Sequence, residues 1–283
     1  MNFVRFEASD GVELQGWLSK QDGDWAALHI HGMCGNGYEN RFIDTLREVY
    51  TQLGISFFSI DTRGRGVISE FRKGDSTIRG GSCYEIFEES SYDIEGALEY
   101  LRSIGKTKFI LQGHSLGGSK VVNYIAQDKP SDVCAAILLA PTDMVAWAST
   151  DPNHTEQLER AQSYIAAGTP EALVDFECWP LDKTPLSAQS YTSKSQVGRP
   201  VDIYGGENET VIGSVQTPML IVYGTNDIGI TAPFGTVEAY KNRLEKIRNA
   251  NTKLSIIENA THSFKGYEPQ LSTVLQDFLK TVL

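Results

Sequence analysis

Three residues of complementary chemistry stand out: Ser115, Asp227 and His262. Ser115 ends the apolar run Phe109-Ile110-Leu111-Gln112 and sits inside Gly113-His114-Ser115-Leu116-Gly117, a G-x-S-x-G pattern. A resting serine hydroxyl is too weakly acidic to attack a carboxylic ester. An imidazole must take its proton, and a carboxylate must orient the imidazole and stabilise its charged form. His262, in Asn259-Ala260-Thr261-His262-Ser263-Phe264, follows the last apolar strand pattern, and Asp227 lies three residues past the strand ending at Gly224. The other histidines are placed differently: His29 within a strand, His31 opening a loop, His114 in the serine turn and His154 in a stretch of mixed texture. His29 and His154 read as hydrogen-bonded structural residues. Cys34, in a loop, reads as a small residue rather than a nucleophile.

A serine at the tip of a sharp strand-to-helix turn crowds the positions two residues before and after it. Gly113 and Gly117 carry no Cβ there. The flanking patterns supply the strand and the helix: Lys108 to Gln112 is a short apolar strand, and Ser119 to Ala126 continues with helical spacing. Upstream, residues 2–9 and 12–20 alternate around Asp10-Gly11 as a hairpin, and Ala26 to Ile30 is a buried strand running into His31-Gly32-Met33-Cys34-Gly35. A helix from Glu39 to Leu53 and a strand from Ile55 to Asp61 follow, then a long loop from Val67 to Phe87 in which Gly80-Gly81-Ser82 reads as a flexible turn. A helix spans Ser90 to Ile104, and Ala135 to Pro141 is the most apolar strand. From Thr142 to Val215 strong strands vanish, aromatics accumulate, and helices are expected at 155–167, 170–177 and 187–194. Strand 218–224, helix 237–248, strand 253–257 and helix 270–282 then restore βα alternation, which implies a mostly parallel sheet between helices.

The 283 residues, 41% of them hydrophobic, suit one large core carrying an insertion. A net charge of -11 excludes a phosphate-backbone surface, so no nucleic-acid partner is expected. No apolar run approaches the roughly 20 residues of a membrane helix, and the N-terminus lacks a basic-then-apolar leader. Four separated cysteines with no C-x-x-C pair point to free thiols in a reducing, cytoplasmic setting and away from a zinc site. No cofactor or metal is expected, and no stretch satisfies the dinucleotide fingerprint.

Taken together, His31-Gly32, Asp61-Thr62-Arg63-Gly64, the serine turn, Asp227 and His262 resemble a serine hydrolase of the α/β-hydrolase superfamily over essentially the whole chain. The resemblance implies an α/β fold: a mostly parallel, doubly wound sheet in a single domain of residues 1–283, with a helical cap inserted at about 142–215. It also implies the chain order serine, acid, histidine, and an oxyanion hole from the backbone N–H groups of Leu116 and Met33. The D-x-R-G-x-G stretch is then chiefly a structural turn. Asp143, just past the Ala135 to Pro141 strand, competes for the acid role. Asp227 is preferred because its loop precedes the final βα unit and Asn226-Asp227-Ile228 resembles the common acid turn.

The implied activity is hydrolysis of a small-molecule carboxylic ester through an acyl-enzyme on Ser115. The same constellation also serves amides, thioesters and carbon–carbon bonds, and the same fold serves non-catalytic binding proteins. Pro185-Leu186-Ser187-Ala188-Gln189-Ser190-Tyr191 is similar to a group that includes fungal siderophore esterases. The insertion's aromatics Trp147, Tyr164, Phe176, Trp179 and Tyr191 suit either a substrate pocket, with Trp147 and Trp179 as lining residues, or the insertion's own small core.

Overall fold

The computed structural model describes residues 1–178, 184–205 and 210–283. The chain opens with the hairpin β1 (Asn2–Glu7) and β2 (Glu13–Ser19), followed by β3 (Trp25–Ile30), α1 (Phe42–Gln52) and β4 (Ser56–Asp61). A second hairpin, β5 (Ser69–Lys73) and β6 (Ser76–Gly80), precedes α2 (Ser90–Ser103), β7 (Lys108–His114), α3 (Leu116–Asp128) and β8 (Val133–Leu139). The inserted stretch carries α4 (Met144–Ala148), α5 (His154–Ala166), α6 (Ala188–Ser195) and α7 (Val211–Ser214). Then come β9 (Met219–Gly224), α8 (Ile228–Phe234), α9 (Val237–Ile247), β10 (Thr252–Ile257) and α10 (Glu268–Leu279).

Eight strands form one sheet in the order β1-β2-β4-β3-β7-β8-β9-β10. β2 pairs antiparallel with β1 and β4, and every pairing from β4 to β10 is parallel. The central strands are covered on both faces, which explains why β4 and β9 are buried at every position and why β9 reads as an unbroken apolar run. Parallel crossovers bring the carboxyl ends of β3, β7, β8, β9 and β10 to one edge, where Gly32, Ser115, Thr142, Asp227 and His262 follow them.

Three expectations fail. The 67–87 stretch is not a plain loop: β5 and β6 pair through Phe71 opposite Ile78. With so few apolar positions, their alternation is too sparse to announce a strand pair. Gly81 is not a flexible turn either; at φ +80° it packs so closely on Val67 that a Cβ would lie 2.5 Å from that carbonyl. The helix expected at 170–177 does not form. A turn closes at Ala172 N–H to Thr169 C=O, and Leu173 then bridges to Ser187, because Pro170 and the backbone of Leu186 draw the chain into extended pairing.

The inserted stretch is fastened to the sheet by buried charge. Lys120 on α3 pairs with Glu85, and Lys194 on α6 lies 3.7 Å from the other Glu85 oxygen, all three side chains being fully buried. Lys194 also donates to the carbonyls of Ser82 at 3.1 Å and Glu85 at 2.7 Å and to Ser190 Oγ at 2.6 Å. Burial pushes Lys194 down to about 8, while Lys120 and Lys194 overcome the opposing effect of burial and hold Glu85 below the usual carboxylate range. The D-x-R-G-x-G stretch works similarly, with buried Arg63 pairing Asp10 and Asp93 at 2.8 Å and Glu89 at 2.9 Å.

Candidate active site

Ser115 stands between β7 and α3 at φ 56°, ψ -128°, a region that non-glycine residues avoid. The glycines around it make that position reachable. A Cβ on Gly113 would fall 2.2 Å from the Gly117 carbonyl oxygen, and one on Gly117 would fall 2.2 Å from that of Ile30. Gly32 is equally confined, since its Cβ would sit 2.8 Å from the Ser115 Cβ. Gly117→Ala should therefore displace the end of β3 and its following loop, lowering stability by about 3 kcal/mol, at the upper end of overpacking costs. A thermal unfolding midpoint unchanged from the parent protein would contradict this.

His262 Nδ1 lies 2.8 Å from Asp227 Oδ1. Asp227 is fully buried and caps α8, its Oδ1 also accepting from the Gly229 N–H at 2.7 Å. This fixes the carboxylate and leaves the Nε2 edge of the ring for the cleft that His262 lines. His114 Nε2 bonds the His262 carbonyl at 2.8 Å, and since a carbonyl only accepts, His114 carries its proton on Nε2. Burial, with His262 nearby, holds His114 well below 6.5, so it stays the neutral anchor of the His262 loop.

The Ser115 hydroxyl bonds Thr142 Oγ1 at 3.1 Å. Thr142 is held in turn by Ser119, whose Oγ donates to its carbonyl at 2.7 Å. Tyr223 fixes the preceding residue through the Pro141 carbonyl. Nothing in residue spacing marks Thr142 for this contact; only the return of β8 beside β7 creates it.

On the facing side, Gly32-Met33-Cys34-Gly35 is a tight turn closed by Gly35 N–H to Gly32 C=O at 3.1 Å, with Cys34 at φ 57°. Its middle amide, that of Met33, is not engaged by this closing bond. Leu116 is the first residue of α3, where a helix leaves its N–H without an intrahelical partner. His31 Nε2 accepts from the Thr62 N–H at 3.0 Å, so its Nδ1 carries the proton and donates to the Gly32 carbonyl at 2.7 Å. Cys34 Sγ rests 2.8 Å from Ser82 Oγ, and burial raises its thiol above the ordinary range, the opposite of an activated nucleophile.

Asp143 is placed elsewhere. Its Oδ1 caps α4 by accepting from Ala146 N–H at 2.9 Å, and its Oδ2 accepts from Tyr204 N–H at 3.3 Å. Burial pushes it up to about 7 against those two bonds. A carboxyl raised on folding binds its proton more tightly in the native state, so stability is fullest below about pH 4 and is lost as pH rises through about 7. Relative to Asp143→Asn, the parent protein should lose roughly 1 kcal/mol per pH unit at the steepest part of this range. Denaturant titrations of both proteins at several pH values would reveal a flat difference if the argument fails.

A cleft of about 370 Å³ opens over Ser115 and His262, walled by Met33, Met144, Trp147 and Ile228 on its apolar side and by Glu39, Asn40 and Ser263 on its polar side. Of the insertion's aromatics, Trp147 lines this cleft, whereas Tyr191 forms the insertion's own core with Tyr164 and Phe176 packed on it. Trp179 lies outside the described residues. His29 and His154 are hydrogen-bonded, to Gln112 at 3.0 Å and Tyr191 at 3.1 Å.

A family model described as "Protein of unknown function (DUF1749)" matches residues 80–282, most of the chain. The chain belongs to that family. Solved structures extend the likeness to full length. Est1E from Butyrivibrio proteoclasticus with bound ferulic acid is 20% identical at a TM-score of 0.70, the match covering 99% of each chain. The Pyrococcus furiosus esterase Pf2001 is 14% identical at 0.64, covering 99% of this chain and 91% of that one. Mouse alpha/beta hydrolase domain-containing protein 10 is 16% identical at 0.66, covering 100% of both. At such identities the likeness shows the fold, and the fold is that of the α/β hydrolases. The chain matches no curated relative. Among the described residues no helix is long and apolar enough to cross a membrane, and no group of acidic, histidine and cysteine side chains could hold a metal ion.

Proposed function

We propose that this DUF1749 member is a serine hydrolase of carboxylic esters. The observation that carries the reading is the 2.8 Å contact of His262 Nδ1 with buried Asp227, in a cleft shared with a serine held at positive φ. In this reading Asp227 keeps the imidazole proton on Nδ1, so Nε2 is free to accept the proton of Ser115 as its oxygen attacks the ester carbonyl. The developing oxyanion is received by the N–H groups of Leu116 and Met33. The imidazolium then gives its proton to the departing alcohol oxygen, leaving an acyl group on Ser115. Water activated by His262 releases the acid.

The Thr142 contact is the resting position of the serine hydroxyl, exchanged for His262 when substrate enters; catalytic hydrogen bonds commonly tighten only in the substrate complex. An ester is favoured by the apolar wall of the cleft, by the likeness to an esterase, Pf2001, and by the ferulic acid that Est1E binds. We take the substrate to be a small ester with an apolar or aromatic acyl group against Trp147, Met144 and Met33, the segment between β8 and β9 acting as a cap within one domain. The four free thiols suit a reducing, cytoplasmic setting. A fluorophosphonate probe tests the class directly, because only an activated serine reacts. Absence of labelling at Ser115, with the protein folded, would refute the reading.

A further inference from the structure

The cleft does not end at His262. Its polar wall, Glu39, Asn40 and Ser263, is shared with an adjoining pocket of about 230 Å³ whose remaining lining is Arg41 and Lys265. Among the described residues neither Arg41 nor Lys265 has an ion-pair partner, in a chain of net charge -11 where such cations would readily find one. The pocket thus holds two cations against one carboxylate. Partial burial raises the Glu39 carboxyl above the usual carboxylate range.

The chemistry of the step says which part of a substrate this pocket meets. As the bond from Ser115 Oγ to the acyl carbon forms and the carbon–oxygen bond to the alcohol breaks, the proton taken by His262 must pass to the alcohol oxygen. The leaving group therefore lies on the His262 side, and Ser263, the next residue, lines both spaces. The acyl group falls on the opposite wall, toward Thr142, Met144 and Trp147.

Building on the ester-hydrolase reading, we propose that the alcohol portion of the substrate carries an anionic group, carboxylate or phosphate, received between Arg41 and Lys265. The test uses three butyryl esters whose phenolic leaving groups are similar because a methylene insulates the ring: those of 4-hydroxyphenylacetamide, 4-hydroxyphenylacetate and 4-hydroxybenzylphosphonate. At low ionic strength kcat/KM for at least one anionic ester should exceed that of the neutral ester by about tenfold, as two exposed charge contacts allow. The better anion identifies the group. The ratio should shrink toward one in about 1 M salt. It should collapse in the double variant Arg41→Gln, Lys265→Gln and invert in Arg41→Glu, Lys265→Glu.

A ratio near one in the parent protein, or one untouched in the double variants, would overturn the proposal. If none of the esters is cleaved, fluorophosphonate labelling of Ser115 decides the hydrolase reading separately. Calorimetric binding of the same esters to Ser115→Ala then decides the pocket: tighter binding of an anionic ester upholds it, and equal binding overturns it.

Discussion

Replacing Ser115 by alanine should abolish ester hydrolysis and fluorophosphonate labelling while leaving the protein folded. The loss of turnover should be on the order of a million-fold, the scale found when a serine protease loses its nucleophile. Folding should survive because alanine inherits the same φ of 56° that serine already tolerates, and the substitution removes a single hydrogen bond, the one to Thr142 Oγ1 at 3.1 Å. A second substitution separates catalysis from strain. Ser115→Gly removes the Cβ from a backbone region costing roughly 1–3 kcal/mol for other residues. It should be equally inactive yet unfold at a higher temperature than Ser115→Ala. Residual turnover above a small fraction in either variant would place the nucleophile elsewhere, and a less stable glycine variant would remove the strain argument.

What could be seen in advance follows from how far each feature depends on the local chain. The serine turn is only partly a local device: Gly113 is needed because its Cβ would meet Gly117 within the same turn, whereas Gly117 is needed against the Ile30 carbonyl of β3, a contact that five residues of pattern do not encode. β9 was visible because a strand covered on both faces has to be apolar throughout. α8 was not, because Gly229 and Pro233 interrupt its pattern and its start is set by the Asp227 cap. Thr142, Asn40, Glu39 and Ser263 enter the cleft only through the parallel return of strands distant in the chain, and no spacing rule encodes that meeting. His114 belonged to the recognisable turn, but its bond to the His262 carbonyl spans 148 residues. The insertion was legible in composition alone: Trp147 on α4 lines the cleft, while Tyr164 on α5, Tyr191 on α6 and Phe176 in the non-helical stretch between them pack in the insertion's core.

The assignment of the acid rests on a comparison that one pair of variants can decide. Asp227→Asn should lower turnover roughly ten-thousandfold, as in the protease precedent, because an amide in place of the carboxylate favours the tautomer with the proton on the wrong nitrogen of His262. Its effect on stability should be about 1 kcal/mol, the worth of one hydrogen bond, because Oδ1 holds both His262 Nδ1 and the Gly229 N–H and an amide that turns its NH2 toward His262 gives up the Gly229 bond. Asp143→Asn should behave in the opposite way. Its carboxylate meets the N–H groups of Ala146 and Tyr204 rather than an imidazole, so it secures α4 and the Tyr204 segment. Turnover should stay within about tenfold of the parent value, a bound set by the roughly 1 kcal/mol worth of a helix cap, while the pH dependence of unfolding changes. Both variants are measured with one chromogenic ester under single-turnover conditions, so that acylation is followed directly. The reverse ranking would move the acid role to Asp143, and the 2.8 Å contact between Asp227 and His262 would then serve only to seat the loop.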